Sequence, residues 1–325
     1  MQTLPVIDFQ AFAPDGRNGS DAARQSIADD IGTACRENGF FLLANHGLKA
    51  HVMEAAFAQA AAFFDLPTAQ KREINIENSA CHRGWFGHGE EVLDAETQSQ
   101  GDEKEGLKIG RDLAADHPLV KAGLALHGPN QWPSEASGGA AFKAAMQATY
   151  QDCETLSRRL MQAFALSLGL EATHFEPWLK LPMATLAPLR YPPMREDHIL
   201  GAGAHTDFGC LTLLLQNDEA GLEVRSPNGE WMAVPAGREH LVVNIGDMMA
   251  RWTNDRYAST RHRVVNRSGK TRHSMAYFFD PDAAADLTPL PNCLGEGEAR
   301  HYEDATALEH LLMKIEQSFE YRQER

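Results

Sequence analysis

Apolar positions change their period several times along the chain. Leu4, Val6, Ile7 and Phe9 form a short extended segment around Pro5. From Ser20 the period becomes helical: Ile27, Ile31 and Cys35 recur at four-residue spacing, Ser20 can cap the first turn, and Gly39 stops the helix. Phe40–Leu43 then reads as a strand and Asn45-His46-Gly47 as a turn, with His46 in a structural role. A second helix carries Val52, Ala56, Phe57, Ala60, Phe63 and Phe64 and ends at Pro67. Residues 75–137 lose the pattern. Arg83-Gly84-Trp85-Phe86-Gly87-His88-Gly89-Glu90 mixes glycine with aromatics, and a charged stretch runs on to Arg111. That composition predicts a shaped loop rather than a core strand. Phe142, Met146, Tyr150, Cys153, Leu156, Leu160, Phe164 and Leu168 restore three-and-four spacing, so a long amphipathic helix closed by Gly169 is expected to cover the outside of the core.

Between Met183 and Asp282 the segments become short and rich in β-branched and aromatic residues. Turn signals separate them at Asn217-Asp218, Pro227-Asn228-Gly229 and Ser268-Gly269. This is the pattern of an antiparallel barrel or jelly roll. A last helix is expected from Tyr302 to Tyr321, with Leu308, Leu311, Leu312, Ile315 and Phe319 on one face. The expected fold is therefore mainly β with flanking helices. Its regions are a helical and strand-containing N-terminal region with a covering loop (1–137), a long helix and connection (138–182), the β core (183–282) and a C-terminal helical extension (283–325).

Charge and cysteine usage narrow the partners. The net charge is −15, and no basic stripe of the kind that nucleic-acid binding requires is visible. An anionic surface also repels anionic membranes, and no apolar run approaches the roughly 20 residues of a membrane span. Cys35, Cys81, Cys153, Cys210 and Cys293 are scattered and odd in number, which predicts free thiols in a reducing compartment and a cytoplasmic protein. The N-terminus lacks the charged and apolar regions of a signal peptide.

The chemistry centres on Gly203-Ala204-His205-Thr206-Asp207, which holds the only H-x-D of the chain. On a strand, positions i and i+2 share a face, so His205 and Asp207 can present an imidazole and a carboxylate to one point. Two histidines and one carboxylate with open positions make the ligand set of non-haem Fe(II) oxygenases. His262, on a second strand-like stretch, supplies the other histidine. Arg272 and Ser274 again stand at i and i+2, a guanidinium and a hydroxyl able to hold a carboxylate. His88 and Glu90 form a second candidate metal pair, without an equivalent of the distal histidine and the Arg-x-Ser. Cys210 is expected to pack rather than ligate.

From Pro182 to Pro281 the chain closely resembles the isopenicillin N synthase-like Fe(II)/2-oxoglutarate-dependent dioxygenases. The resemblance rests on Arg190-Tyr191-Pro192-Pro193, His205-Thr206-Asp207, Leu211–Gln216, Gly221–Val224, Val242–Met248, Arg251–Asn254, Tyr257, His262–Asn266 and Arg272-His273-Ser274, in that order. It implies a double-stranded β-helix (jelly-roll) core with Fe(II) held by His205, Asp207 and His262. It also implies 2-oxoglutarate held by Arg272 and Ser274, with the hydroxyl of Tyr191 near its far carboxylate, and the 75–137 stretch helping to cover the site. The implied reaction couples oxidative decarboxylation of 2-oxoglutarate, giving succinate and CO2, to O2-dependent oxidation of a C–H bond in a small molecule. Leu126–Pro133 and Arg300-His301-Tyr302 look closer to bacterial members than to plant ones.

Two kinds of alternative share these residues. Isopenicillin N synthase and plant ACC oxidases use the same H-x-D, His and Arg-x-Ser without consuming 2-oxoglutarate, and ethylene-forming enzymes are a further variant on the scaffold. A jelly roll that binds a 2-oxo acid without turnover is a rival from another class, although such a binder has no need of an open-sided iron site. A monomer or weak homo-oligomer is expected.

Overall fold

Strand Leu211–Gln216 shows how this sequence makes a two-faced sheet. Leu211, Leu213 and Leu215 are buried on one side against helices, while Thr212 and Leu214 line a cavity on the other. The computed structural model describes residues 3–13, 19–94, 101–194 and 200–318. In chain order the first elements are β1 (Val6–Asp8), α1 (Asp21–Glu37), β2 (Phe40–Ala44), α2 (Ala50–Phe64) and α3 (Thr68–Arg72). Then come β3 (Gly84–Phe86), β4 (Glu105–Gly110), α4 (Pro118–Lys121) and the long α5 (Gly139–Ser167). The remainder holds β5 (Met183–Tyr191), β6 (Ala202–His205), β7 (Leu211–Gln216), β8 (Leu222–Arg225), β9 (Trp231–Ala233), β10 (Leu241–Ile245), α6 (Asp247–Trp252), β11 (His262–Val264), β12 (Arg272–Asp280) and α7 (Ala307–Ser318).

The larger sheet runs β1-β2-β10-β7-β12-β5-β4-β3, and the smaller runs β6-β11-β8-β9. Helices α1, α2 and α5 pack on the outer face of the larger sheet, where Leu156, Leu160 and Phe164 meet Leu186, Leu213 and Tyr277 in one apolar core. A second cluster joins Phe40, Leu42 and Val242 of the larger sheet to Leu222 and Val224 of the smaller. The cavity lies between the two sheets, lined by Leu189, Leu214 and Ala276 from one and Ala202, Leu222 and Val264 from the other. This is the expected double-stranded β-helix with flanking helices.

The helix signals hold. Ser20 caps α1 by accepting from Ala23 N at 3.2 Å. The last helix begins at Ala307, later than its apolar face suggests. Thr306 N donates to Glu309 Oε2 at 2.8 Å and Glu309 N donates to Thr306 Oγ1 at 3.3 Å, and this reciprocal cap fixes the start. The expected end at Tyr321 lies outside the described residues. His46 accepts from Leu48 N at 3.1 Å and serves its own turn. All five cysteines are buried and unpaired, and Cys210 packs beside Met161.

The 75–137 stretch differs from its reading as a loop. β3 and β4 extend the larger sheet, with β4 paired to β5 through Glu105↔Arg190 and Gly110↔Thr185. Buried charge disguised this strand. Glu105 is buried, yet it accepts from Lys71 Nζ at 2.7 Å, Trp85 Nε1 at 2.8 Å and Arg190 Nε at 2.7 Å. Burial works to raise its carboxyl, but those partners outweigh it and hold the group low. The glycines of β4 are there for space. A Cβ on Gly106 would stand 2.4 Å from Phe86 Cζ and 2.6 Å from Leu189 Cδ2. Gly106→Ala is expected to cost about 1–3 kcal/mol through overpacking. The measurement is the midpoint of denaturant unfolding, and an unchanged midpoint would mean that Phe86 and Leu189 give way freely.

Candidate metal centre and carboxylate receptor

His205 is the last residue of β6, and His262 is paired directly across from it on β11. Their ring centroids are 4.3 Å apart. Asp207 is not on the strand, as its i+2 spacing suggested. It lies in the turn after β6, where its main-chain oxygen accepts from Asp247 N at 2.8 Å. Gly246 has no side chain at that crossing, and a Cβ there would stand 2.6 Å from Asp207 O. The Asp207 side chain is fixed by two residues whose part the sequence did not suggest. Thr212 Oγ1 donates to Oδ2 at 2.5 Å and Asn244 Nδ2 donates to the same oxygen at 2.7 Å. The other oxygen, Oδ1, is left 3.5 Å from His262 Nε2 and 3.8 Å from His205 Nε2.

The three ligand atoms lie within 4.8 Å of one another, a spacing that suits one ion between them. The far side of each imidazole is already engaged. His205 Nδ1 lies 2.7 Å from Gly203 O and His262 Nδ1 lies 3.2 Å from Thr260 O. A proton on each Nδ1 donated to those carbonyls leaves both Nε2 atoms free as ligands. Burial and the neighbouring His262 push the His205 imidazole down to about 3, against the pull of Asp207. Burial works to raise the Asp207 carboxyl, but the two histidines, then Thr212 and Asn244, hold it below its usual range. A neutral imidazole and an ionised carboxylate are the forms a metal ion requires.

The second feature is a buried guanidinium. Arg272 is fully buried, and among the described residues no carboxylate lies at ion-pair distance from it. Its Nη1 donates to Ser274 Oγ at 3.3 Å, its Nη2 donates to Gln216 Oε1 at 2.8 Å, and its Nε has no partner. Tyr191, paired across from it on β5, places its ring 5.0 Å beneath the guanidinium. Burial depresses its basicity, but an arginine stays charged. A buried cation without a counter-ion is costly, so this end of the cavity suits an incoming carboxylate. The sequence signal for Gln216 was the alternation Thr212, Leu214, Gln216 on the cavity face, too short to weigh alone.

Other candidates separate from the site. Exposed His88 lies 3.9 Å from Glu105, and Glu90 closes its own turn by accepting from Gly87 N at 2.9 Å. Trp252 donates to Asp286 O at 2.8 Å, and Arg251 stacks on Tyr302. The 75–137 stretch does line the cavity, through His82, Arg83, Glu91, Leu93, Lys104, Lys108 and Leu126. Helix α7 adds Leu311 and Ile315 and is tied to the turn that carries Asp207 by His310 Nε2, 2.8 Å from Phe208 O, and to α6 by Lys314 Nζ, 2.7 Å from Asp247 Oδ2.

A jelly roll with a two-histidine, one-aspartate cluster and, in the same cavity, a buried arginine paired with no described carboxylate defines a non-haem oxygenase scaffold. Comparison with known proteins carries this further. Residues 182–281 match the model of the 2OG-Fe(II) oxygenase superfamily. Residues 4–135 match that of the N-terminal part of the non-haem dioxygenases in morphine synthesis. A 2-oxoglutarate-Fe(II) type oxidoreductase, hxnY, of Emericella nidulans is 35% identical over 320 residues, covering 97% of this chain and 90% of that one. Homoarginine-6-hydroxylase of Arabidopsis thaliana is 31% identical over 293 residues, covering 88% and 80%. A full-length Neurospora crassa protein solved in complex with alpha-KG and thymine superposes with a TM-score of 0.83 at 30% identity, over 97% of this chain and 96% of that one. A putative 2OG-Fe(II) oxygenase family protein from Caulobacter crescentus gives 0.82 at 31%, over 98% and 99%.

The chain belongs to the 2OG-Fe(II) oxygenase superfamily. It is an oxidoreductase that uses Fe(II), 2-oxoglutarate and O2, coupling decarboxylation of 2-oxoglutarate to succinate and CO2 with oxidation of a C–H bond.

Proposed function

We propose that His205, Asp207 and His262 are the Fe(II) ligands, and that Arg272 and Ser274, with Tyr191 beneath them, receive the far carboxylate of 2-oxoglutarate. The observation that carries this is the fully buried Arg272 guanidinium, unpaired by any described carboxylate, in the same cavity as the three metal-ligating atoms. Bound there, the metal and cosubstrate supply the O2 activation and C–H oxidation. The protein's own part is geometric. Thr212 and Asn244 aim one oxygen of Asp207, two carbonyls set the histidine tautomers, and Gln216 holds the arginine fork in place. Leu214, Ala276 and Phe278 form an apolar wall that excludes water from the reacting region.

The substrate is a small molecule, with neither nucleic acid nor membrane as partner. A net charge of −15 supports this, and among the described residues no helix is long and apolar enough to cross a membrane. Five buried free thiols support a cytoplasmic location, and we place the protein there as a monomer or weak homo-oligomer. We also retain an affinity with bacterial members. The Caulobacter crescentus structure supports it, while hxnY is fungal and the hydroxylase is from a plant.

The test is an anaerobic titration of the metal-free protein with Fe(II) and then 2-oxoglutarate. The weak visible charge-transfer band of a chelated 2-oxo acid is expected, and it should be lost in Arg272→Ala. Iron binding without the band would favour an oxidase that does not use 2-oxoglutarate.

A further inference from the structure

The cavity is lined by a second buried guanidinium. Arg83 is 5% exposed, and its guanidinium lies against Gly110, where a Cβ would stand 2.0 Å from Nη2. Its Nη2 donates to Leu126 O at 2.9 Å and its Nη1 to His82 O at 3.3 Å, while Nε has no partner. A guanidinium has more N–H donors than these two carbonyls accept. Among the described residues no carboxylate lies at ion-pair distance from Arg83, and Asp112 acts on it only from farther away. The two residues that supply those carbonyls, His82 (φ 60°) and Leu126 (φ 62°), are both in the left-handed region. Neither is a glycine, and such strain is held at ligand sites more often than elsewhere. Both also line the cavity.

The lysines that line the cavity are matched. Lys104 Nζ lies 2.5 Å from Asp102 Oδ2 and 2.7 Å from Glu91 Oε2, and Lys108 Nζ lies 3.4 Å from Glu91 Oε1. Burial works to raise Glu91, but the two lysines outweigh it and hold the carboxyl at about 2. Two lysines thus face two carboxylates. Arg272 is assigned to the cosubstrate. Arg83 remains as the second cavity cation without an anion among the described residues.

We propose that Arg83 is the receptor for a carboxylate on the primary substrate. The inference rests on the assignment of Arg272 to 2-oxoglutarate. The strand register gives the reach. Thr212, which holds Asp207, pairs with Phe278, Phe278 with Thr185, and Thr185 with Gly110. Three strand steps of roughly 4.8 Å put Gly110 about 14 Å from Thr212 along the sheet. The side chains projecting inward at both ends shorten that span, so the carboxylate binds several bonds from the oxidised carbon. The lining also includes the apolar side chains of Phe278, Leu93, Leu311 and Ile315, with the Lys108 ammonium 5.5 Å from the Phe278 ring centre.

The test uses full-length protein saturated with Mn(II) and 2-oxoglutarate, which binds without turning over. It is titrated in a calorimeter with 4-phenylbutyrate and 6-phenylhexanoate and with their primary amides. At least one acid is expected to bind tenfold or more tighter than its amide. Arg83→Gln should erase that difference, and Arg83→Lys should restore part of it. Equal binding of acid and amide, no binding of either acid, or a preference that survives in Arg83→Gln would overturn the proposal. If Arg83→Gln does not fold, the acid–amide comparison on the unaltered protein decides alone. A protein that fails to take up 2-oxoglutarate at all refutes the cosubstrate assignment instead, so the two failures are distinct.

Discussion

Asp207→Ala is expected to abolish metal-dependent turnover while leaving a folded protein. The two histidines come from paired strands, but the carboxylate comes from a turn and is the anionic member of the set. Its removal takes away the charge that meets the metal and also the acceptor on which Thr212 and Asn244 converge. Two buried donors are then left without their partner, at roughly 1–3 kcal/mol each. That is a sizeable loss for a fold whose total stability is on the order of 5–15 kcal/mol, but the extensive sheet and helix core is untouched. Metal content after anaerobic reconstitution with Fe(II), together with CO2 release from 2-oxoglutarate, provides the measurement. Wild-type metal content in this variant would remove Asp207 from the ligand set. The supporting pair offers a graded companion, because residues that orient a ligand typically change metal affinity by about 10–100-fold.

The second large effect is expected at Arg272. Arg272→Lys keeps a positive charge but cannot reproduce the fork that bonds Gln216 and Ser274 while resting on the Tyr191 ring. A hydrogen bond to a charged group is worth about 1.5–3 kcal/mol. The apparent KM for 2-oxoglutarate should therefore rise roughly 10- to 100-fold. The metal ligands are untouched, so kcat at saturating cosubstrate should fall far less. Steady-state kinetics over a range of 2-oxoglutarate separates the two parameters. An unchanged KM would move the cosubstrate carboxylate away from Arg272.

How much of this was legible in the sequence depended on periodicity. Arg272 and Ser274 share a face because β12 is a regular strand of nine residues, and two-residue spacing can be read from one line of sequence. The long α5 and the capped α1 were equally visible, since their apolar positions repeat without interruption. β3 and β4 were not. β4 has Lys104 just before it and Glu105 within it, both buried in ion pairs, and glycines where other strands carry side chains, so the apolar alternation that marks a strand is missing. The i+2 spacing predicts Asp207 on a strand beside His205, whereas its backbone lies in the turn after β6. Its carboxylate is aimed towards the two histidines by Thr212 and Asn244, which only the folded sheet brings near. Arg83 stands in the glycine- and aromatic-rich stretch, but that no described carboxylate pairs with it is a property of three-dimensional surroundings.

The pairing of His205 with His262 across two strands has a consequence for the whole molecule. The proposed ligands are up to 57 residues apart in sequence (262 − 205), and the two histidines converge only when β6 and β11 are in register. An unfolded chain offers no such cluster, so the ion binds almost solely to the native state. By mass action, free metal at a hundredfold excess over its dissociation constant then adds about 2.7 kcal/mol to the folding free energy. With the proposed ligands, iron supply is expected to set part of this protein's stability, the metal-starved chain being the more exposed to unfolding and proteolysis.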